Sequence, residues 1–116
     1  MCDFFMENVN FEDFAKLDLR VGLIKSVEEH PNADRLFVLK VDLGEEDERT
    51  ICAGIKAFYS KEELEGKQAV FVANLEKKML RGVESQGMIL AAGDSGKSKV
   101  VFVKPEKDMN PGDKIS

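Results

Sequence analysis

Residues 19–28 read L-R-V-G-L-I-K-S-V-E, and Leu19, Val21 and Leu23 alternate with polar or small positions. That period of two is the mark of a strand with one buried face. Ile24 and Lys25 break the alternation just after Gly22, which predicts a bulge that lets one long strand bend into two sheets. A second strand is expected over residues 36–43, where Phe37, Leu39, Val41 and Leu43 recur in period two. Further strands follow over 49–55, ending at Gly54, then over 68–73, 87–92 and 100–103, with a short last pairing at 114–116. The intervening residues are turn formers. His30-Pro31-Asn32-Ala33-Asp34 combines a proline that fixes φ with Asn and Asp side chains that bond the backbone locally, and 44–48 and 93–96 are polar hairpin tips.

Two short helices interrupt this pattern. Asn10 is the expected N-cap of the first, with Glu12 and Asp13 in its first turn and Val9 and Phe14 at staple spacing, and it can run about two turns before Leu17-Asp18. Ser60 and Glu63 form a capping box for the second, which Gly66 closes. One chain of 116 residues supports a single core. Short strands with one helix between the third and fourth predict an all-β fold, a small closed barrel with a C-terminal extension. The helix lies where an oligonucleotide-binding (OB) barrel carries one. An SH3-like barrel is the competing architecture, and the long bent first strand argues against it. Ahead of the first helix, Phe4, Phe5 and Met6 form an apolar cluster that reads equally as a core lid or a subunit contact, so residues 1–10 are set apart from a domain spanning 11–116.

Composition narrows the chemistry. No apolar run reaches the roughly 18 residues of a membrane span, and the start M-C-D-F-F-M-E lacks a basic signal region, so a soluble, cytoplasmic protein without membrane contact is expected. Cys2 and Cys52 make neither a disulfide framework nor a metal pair, and Cys52 lies in an apolar run. His30, the only histidine, precedes Pro31 and suits a turn better than general-base work. Ser85 lacks a G-x-S-x-G elbow. Residues 93–98 end in G-K-S, but Ala91 stands where a phosphate loop needs glycine and a strand follows, so they read as a hairpin turn. No catalytic residue, cofactor or metal is therefore expected.

The net charge of −5 argues against a general nucleic-acid coat. Screening over about 8 Å at physiological salt nonetheless allows a local basic site. Residues 74–92 supply one. Lys77, Lys78 and Arg81 stand close together, opposed only by Glu76, and Asn74 and Ser85 flank them. Cations neutralise phosphates, while Asn and Ser bond sugar hydroxyls or base edges. Arg35 adds a fourth cation after the 30–34 turn. Phe37 and Phe71 fall on apolar strand faces, leaving Tyr59 as the candidate for base stacking. The same loop also reads as a solvated turn carrying its own caps.

Five motifs then carry a family likeness: D-F-A-K-L-D-L-R-V-G at 13–22, H-P-N-A-D-R-L at 30–36, V-D-L-G at 41–44, A-G-I at 53–55, and N-L at 74–75 followed by S-Q-G-M-I-L-A-A at 85–92. In this order they resemble the tRNA-binding domain family, which includes the C-terminal appendix of methionyl-tRNA synthetases and free-standing structure-specific tRNA-binding proteins. The resemblance implies an OB barrel that binds tRNA by shape, without catalysis, as a homodimer or as the beta subunit of a methionyl-tRNA synthetase, assisting aminoacylation beside a catalytic subunit. Carried over by position, its RNA-facing residues are Arg35, Asn74, Lys78, Arg81, Ser85 and Met88; Lys77 joins them from the loop's charge alone. Lys77 replaces a common proline and Met79 a common lysine, which shifts the placement of charge, and Leu23 replaces a frequently basic residue. A related branch resembles CsaA-type export chaperones, which bind unfolded polypeptides, but that branch lacks the P-N-A-D-[KR]-L and S-x-G-M-x-L-A-A segments in this form.

Overall fold

The computed structural model describes residues 7–116; the Phe4–Met6 cluster lies outside the described residues. Strand β1 (Leu19–Glu29) is the spine. Its second half pairs antiparallel with β2 (Phe37–Asp42), from Leu23 opposite Asp42 to Glu29 opposite Phe37. Its first half pairs with β4 (Gln68–Val72) and, on the other edge, with β10 (Lys114–Ile115). The register against β2 slips between Ile24 and Ser26, so Lys25 is the extra residue of a bulge, as the broken alternation predicts. Gly22 makes the bend possible by close packing. A Cβ there would stand 2.7 Å from the Phe71 ring and 2.8 Å from a Leu43 methyl.

The sheet runs β3-β2-β1-β4-β7, with β3 at Arg49–Ala53 and β7 at Met88–Ile89. Backbone and side chain of Gln86 close it toward β3: Gln86 N donates to the Thr50 carbonyl and Thr50 N to Gln86 Oε1, each at 2.8 Å. The result is a nearly closed OB barrel. Ile24, Phe37, Leu39, Val41, Leu43, Ile51, Leu64 and Phe71 fill it: the period-two positions of residues 37–43, Ile24 from the bulge in place of the half-buried Leu23, one residue each from β3 and β4, and one helical residue. Leu64 comes from α2 (Lys61–Leu64), whose capping box is formed by Ser60 and Glu63.

Three expectations are refined. Helix α1 (Phe11–Ala15) is capped by Asn10 but spans five residues and buries none of them; Val9 is 70% and Phe14 41% exposed, so the staple spacing seals no core. The expected fifth strand divides into β7 and β8 (Ala91–Gly93), because Leu90 donates to the Val70 carbonyl and accepts from Val103 N. The basic loop that begins at Asn74 contains a hairpin of β5 (Lys78–Leu80) and β6 (Val83–Ser85). Its turn is Arg81 and Gly82, both at positive φ (51° and 92°), the two-residue turn whose twist matches a hairpin. At the other end, 94–99 fold as the turn between β8 and β9 (Val100–Phe102), held by Asp94 accepting from Ser98 and Lys99.

Candidate nucleic-acid interface

The β5–β6 hairpin projects from the barrel and walls a cleft of about 450 Å³, lined by Leu75, Lys77, Lys78, Leu80, Ser85 and Met88 among others. A second cavity of about 340 Å³ lies at the hairpin tip, where Arg81 meets Arg35, Asn32 and Asp34 of the turn after β1. The structure thus brings two cations together that stand 46 positions apart in sequence (81 − 35). Lys77, Lys78, Arg35 and Arg81 take part in none of the ion pairs formed among the described residues. Their charges remain available to an anion from outside.

The polar members divide by role. Met88 is 43% exposed at the cleft. Ser85 is buried; its hydroxyl donates to the Gly87 carbonyl and accepts from Cys52 N, both at 3.0 Å. Asn74 stands at the loop's base, where Oδ1 accepts from Asp18 N at 2.8 Å and Nδ2 donates to the Lys16 carbonyl at 2.6 Å. Both side chains therefore brace the loop from within. Tyr59 is packed on Phe102, ring centroids 5.2 Å apart, and its hydroxyl accepts from Phe102 N; it lines neither basic cavity, so it supplies no stacking platform there.

Sequence reading passes over the residues that hold the hairpin in place. Arg49 reaches across its base, donating through one terminal nitrogen to the carbonyls of Ala73 and Gln86 while Nε and the other nitrogen grip both oxygens of Glu45. The hydrogen bonds from Arg49 hold the Glu45 carboxyl below its usual range, against an opposing effect of burial. His30, buried between turn and hairpin, bonds the Leu80 carbonyl through Nε2 at 2.8 Å and accepts from Asn32 N through Nδ1 at 2.9 Å. Only an arginine at a strand start and a histidine before proline mark these positions in the sequence. Burial pushes the Cys52 thiol up, away from reactivity.

A nearly closed OB barrel with unpaired cations at one rim defines a small nucleic-acid-binding type of domain by its architecture. Residues 19–114 match the family described as "Putative tRNA binding domain", and the chain belongs to that family. It is 57% identical over 110 residues to a methionine–tRNA ligase of Pyrococcus horikoshii, covering 95% of this chain and 15% of the ligase. The chain therefore spans about 15% of the length of this relative. Among solved structures, a MetRS related protein from Pyrococcus horikoshii superposes with a TM-score of 0.88 at 38% identity, over 96% of this chain and all of that one. The chaperone CsaA of Bacillus anthracis superposes with a TM-score of 0.83 at 35% identity, over 95% of this chain and all of that one. Among the described residues no helix is long and apolar enough to cross a membrane.

Proposed function

We propose that this domain binds folded tRNA by shape and without catalysis, assisting aminoacylation as a homodimer or as the beta subunit of a methionyl-tRNA synthetase. The observation that carries the reading is the convergence of Arg35 and Arg81 on one cavity, next to the Lys77–Lys78 cleft, in a chain of net charge −5. A small cluster of cations on an acidic chain suits a few placed phosphates better than a long polyanion track. With no aromatic face in either cavity, backbone shape rather than base stacking sets the preference. Assistance to a synthetase then consists of raising the local tRNA concentration.

Titration of unfractionated tRNA at two salt concentrations tests this, with heat-unfolded tRNA, duplex DNA and an unfolded polypeptide as parallel ligands. Folded tRNA is expected to bind best, with a log–log salt slope of about −0.7 to −0.9 per phosphate contact. A second reading, polypeptide binding, is favoured by the exposed Leu75 and Met88 (45% and 43%), which line the first cleft. Binding of the unfolded polypeptide alone decides for it.

For the homodimer we propose the surface where α1 meets β10. Phe11 is 77% exposed there, and Phe11, Phe14 and Leu17 line one cavity with Ile115, an apolar patch of the kind that marks association.

A further inference from the structure

We infer that His30 is a positioning residue of the anion site, a neutral imidazole that pins the β5–β6 turn so that Arg81 stands beside Arg35. This inference rests on the proposed RNA site. Three hydrogen bonds carry it. Nδ1 accepts a backbone N–H from Asn32 at 2.9 Å, so the ring proton sits on Nε2, which donates to the Leu80 carbonyl at 2.8 Å. Asn32, oriented by that contact, donates from Nδ2 to the Arg81 carbonyl at 3.1 Å. The turn of residues 30–36 is itself closed by His30 N donating to Leu36 O at 3.2 Å.

The two carbonyls so held belong to Leu80 and Arg81, consecutive peptide groups leading into the positive-φ turn. Arg81 has a φ of 51°, a region that a side chain with a Cβ adopts only when its surroundings hold it there. The His30 and Asn32 bonds are those surroundings. They also explain why the only histidine is buried at 6% exposure with both ring nitrogens used. A turn alone needs the Nδ1 bond, whereas the Nε2 bond serves the hairpin fifty residues away. Arg35 follows on the same turn, so one ring sets the spacing of both cations.

The test is a double-mutant cycle on the full chain. His30→Asn keeps an acceptor for Asn32 N but cannot reach Leu80, while His30→Gln keeps a donor near Nε2. Each is made with Arg81 present and with Arg81→Ala. Asn32→Ala, at an exposed position, removes the second bond should the histidine variants fold poorly. Read-outs are tRNA affinity at fixed salt and amide exchange of residues 78–85 without RNA. His30→Asn is expected to speed exchange in the hairpin and weaken tRNA binding roughly three- to tenfold, the span of one neutral hydrogen bond. That loss should shrink to under about twofold when Arg81 is already alanine, and His30→Gln should recover part of it. Equal losses in both Arg81 backgrounds, or a loosened hairpin with unchanged affinity, overturn the inference while leaving tRNA binding intact. Wild-type protein that binds no tRNA overturns the proposed function and this inference together.

Discussion

Arg81 sits in a conformation that its side chain opposes. Left-handed backbone costs an ordinary residue about 1–2 kcal/mol, and asparagine tolerates it best after glycine. Arg81→Asn is therefore expected to raise stability by about 1 kcal/mol, read as a higher denaturation midpoint. The same change should weaken tRNA binding by roughly 1–3 kcal/mol and flatten the salt slope by about one contact. Unchanged affinity would remove the hairpin tip from the site. Gly22 has the opposite character, since only the missing Cβ lets β1 lie on Phe71 and Leu43. Gly22→Ala should cost about 1–3 kcal/mol by overpacking, measured by chemical denaturation, with no specific effect on binding at permissive temperature.

Among the elements, those defined by local rules were legible in the sequence. The period of Phe37, Leu39, Val41 and Leu43, the Ser60–Glu63 box and the slip at Lys25 each depend on residues a few positions apart, and the structure has all three. The β5–β6 hairpin was not legible, because an arginine at its first turn position hides a turn that usually announces itself with Asn-Gly or Asp-Gly. Nor could spacing reveal that the polar groups of Asn74 and Ser85 are used internally, since their partners Asp18 and Cys52 lie 56 and 33 positions away. Arg49 is the clearest case. Arg49→Met should cost about 2–3 kcal/mol, because charged hydrogen bonds are lost and two carbonyls are left partly unpaired, and it should speed exchange in residues 74–86. Glu45 titrates lower in the folded state than its ordinary 4.5. The stability from its pairing is thus complete above that value and lost as pH falls through the lowered one. The wild type should lose stability more steeply than Arg49→Met below about pH 4.5.

For the molecule as a whole, the basic cavities and the apolar α1–β10 cavity share no lining residue, so the proposed association and the proposed RNA contact can be tested by separate substitutions. On the proposed dimer, Phe11→Glu is expected to give monomer mass in sedimentation while the barrel still unfolds cooperatively, since α1 buries no residue in the barrel. A persisting dimer would place the interface elsewhere. Strand β1 pairs with β2, β4 and β10, so its amides should be the slowest to exchange, reporting global unfolding rather than local opening.

Arg49 grips the chain at Ala73, where it leaves the barrel, and at Gln86, where it returns. Between those two carbonyls the chain is tied back to the barrel at its two ends, Asn74 accepting from Asp18 N and Ser85 from Cys52 N. The stretch inside those ties behaves as an exchangeable cartridge: its exposed side chains can drift without disturbing the housing that carries it. One barrel could then be re-tooled for a different cargo by replacing the side chains of residues 75–84 alone, and a graft that keeps Arg49, Asn74 and Ser85 should fold whatever the new segment binds.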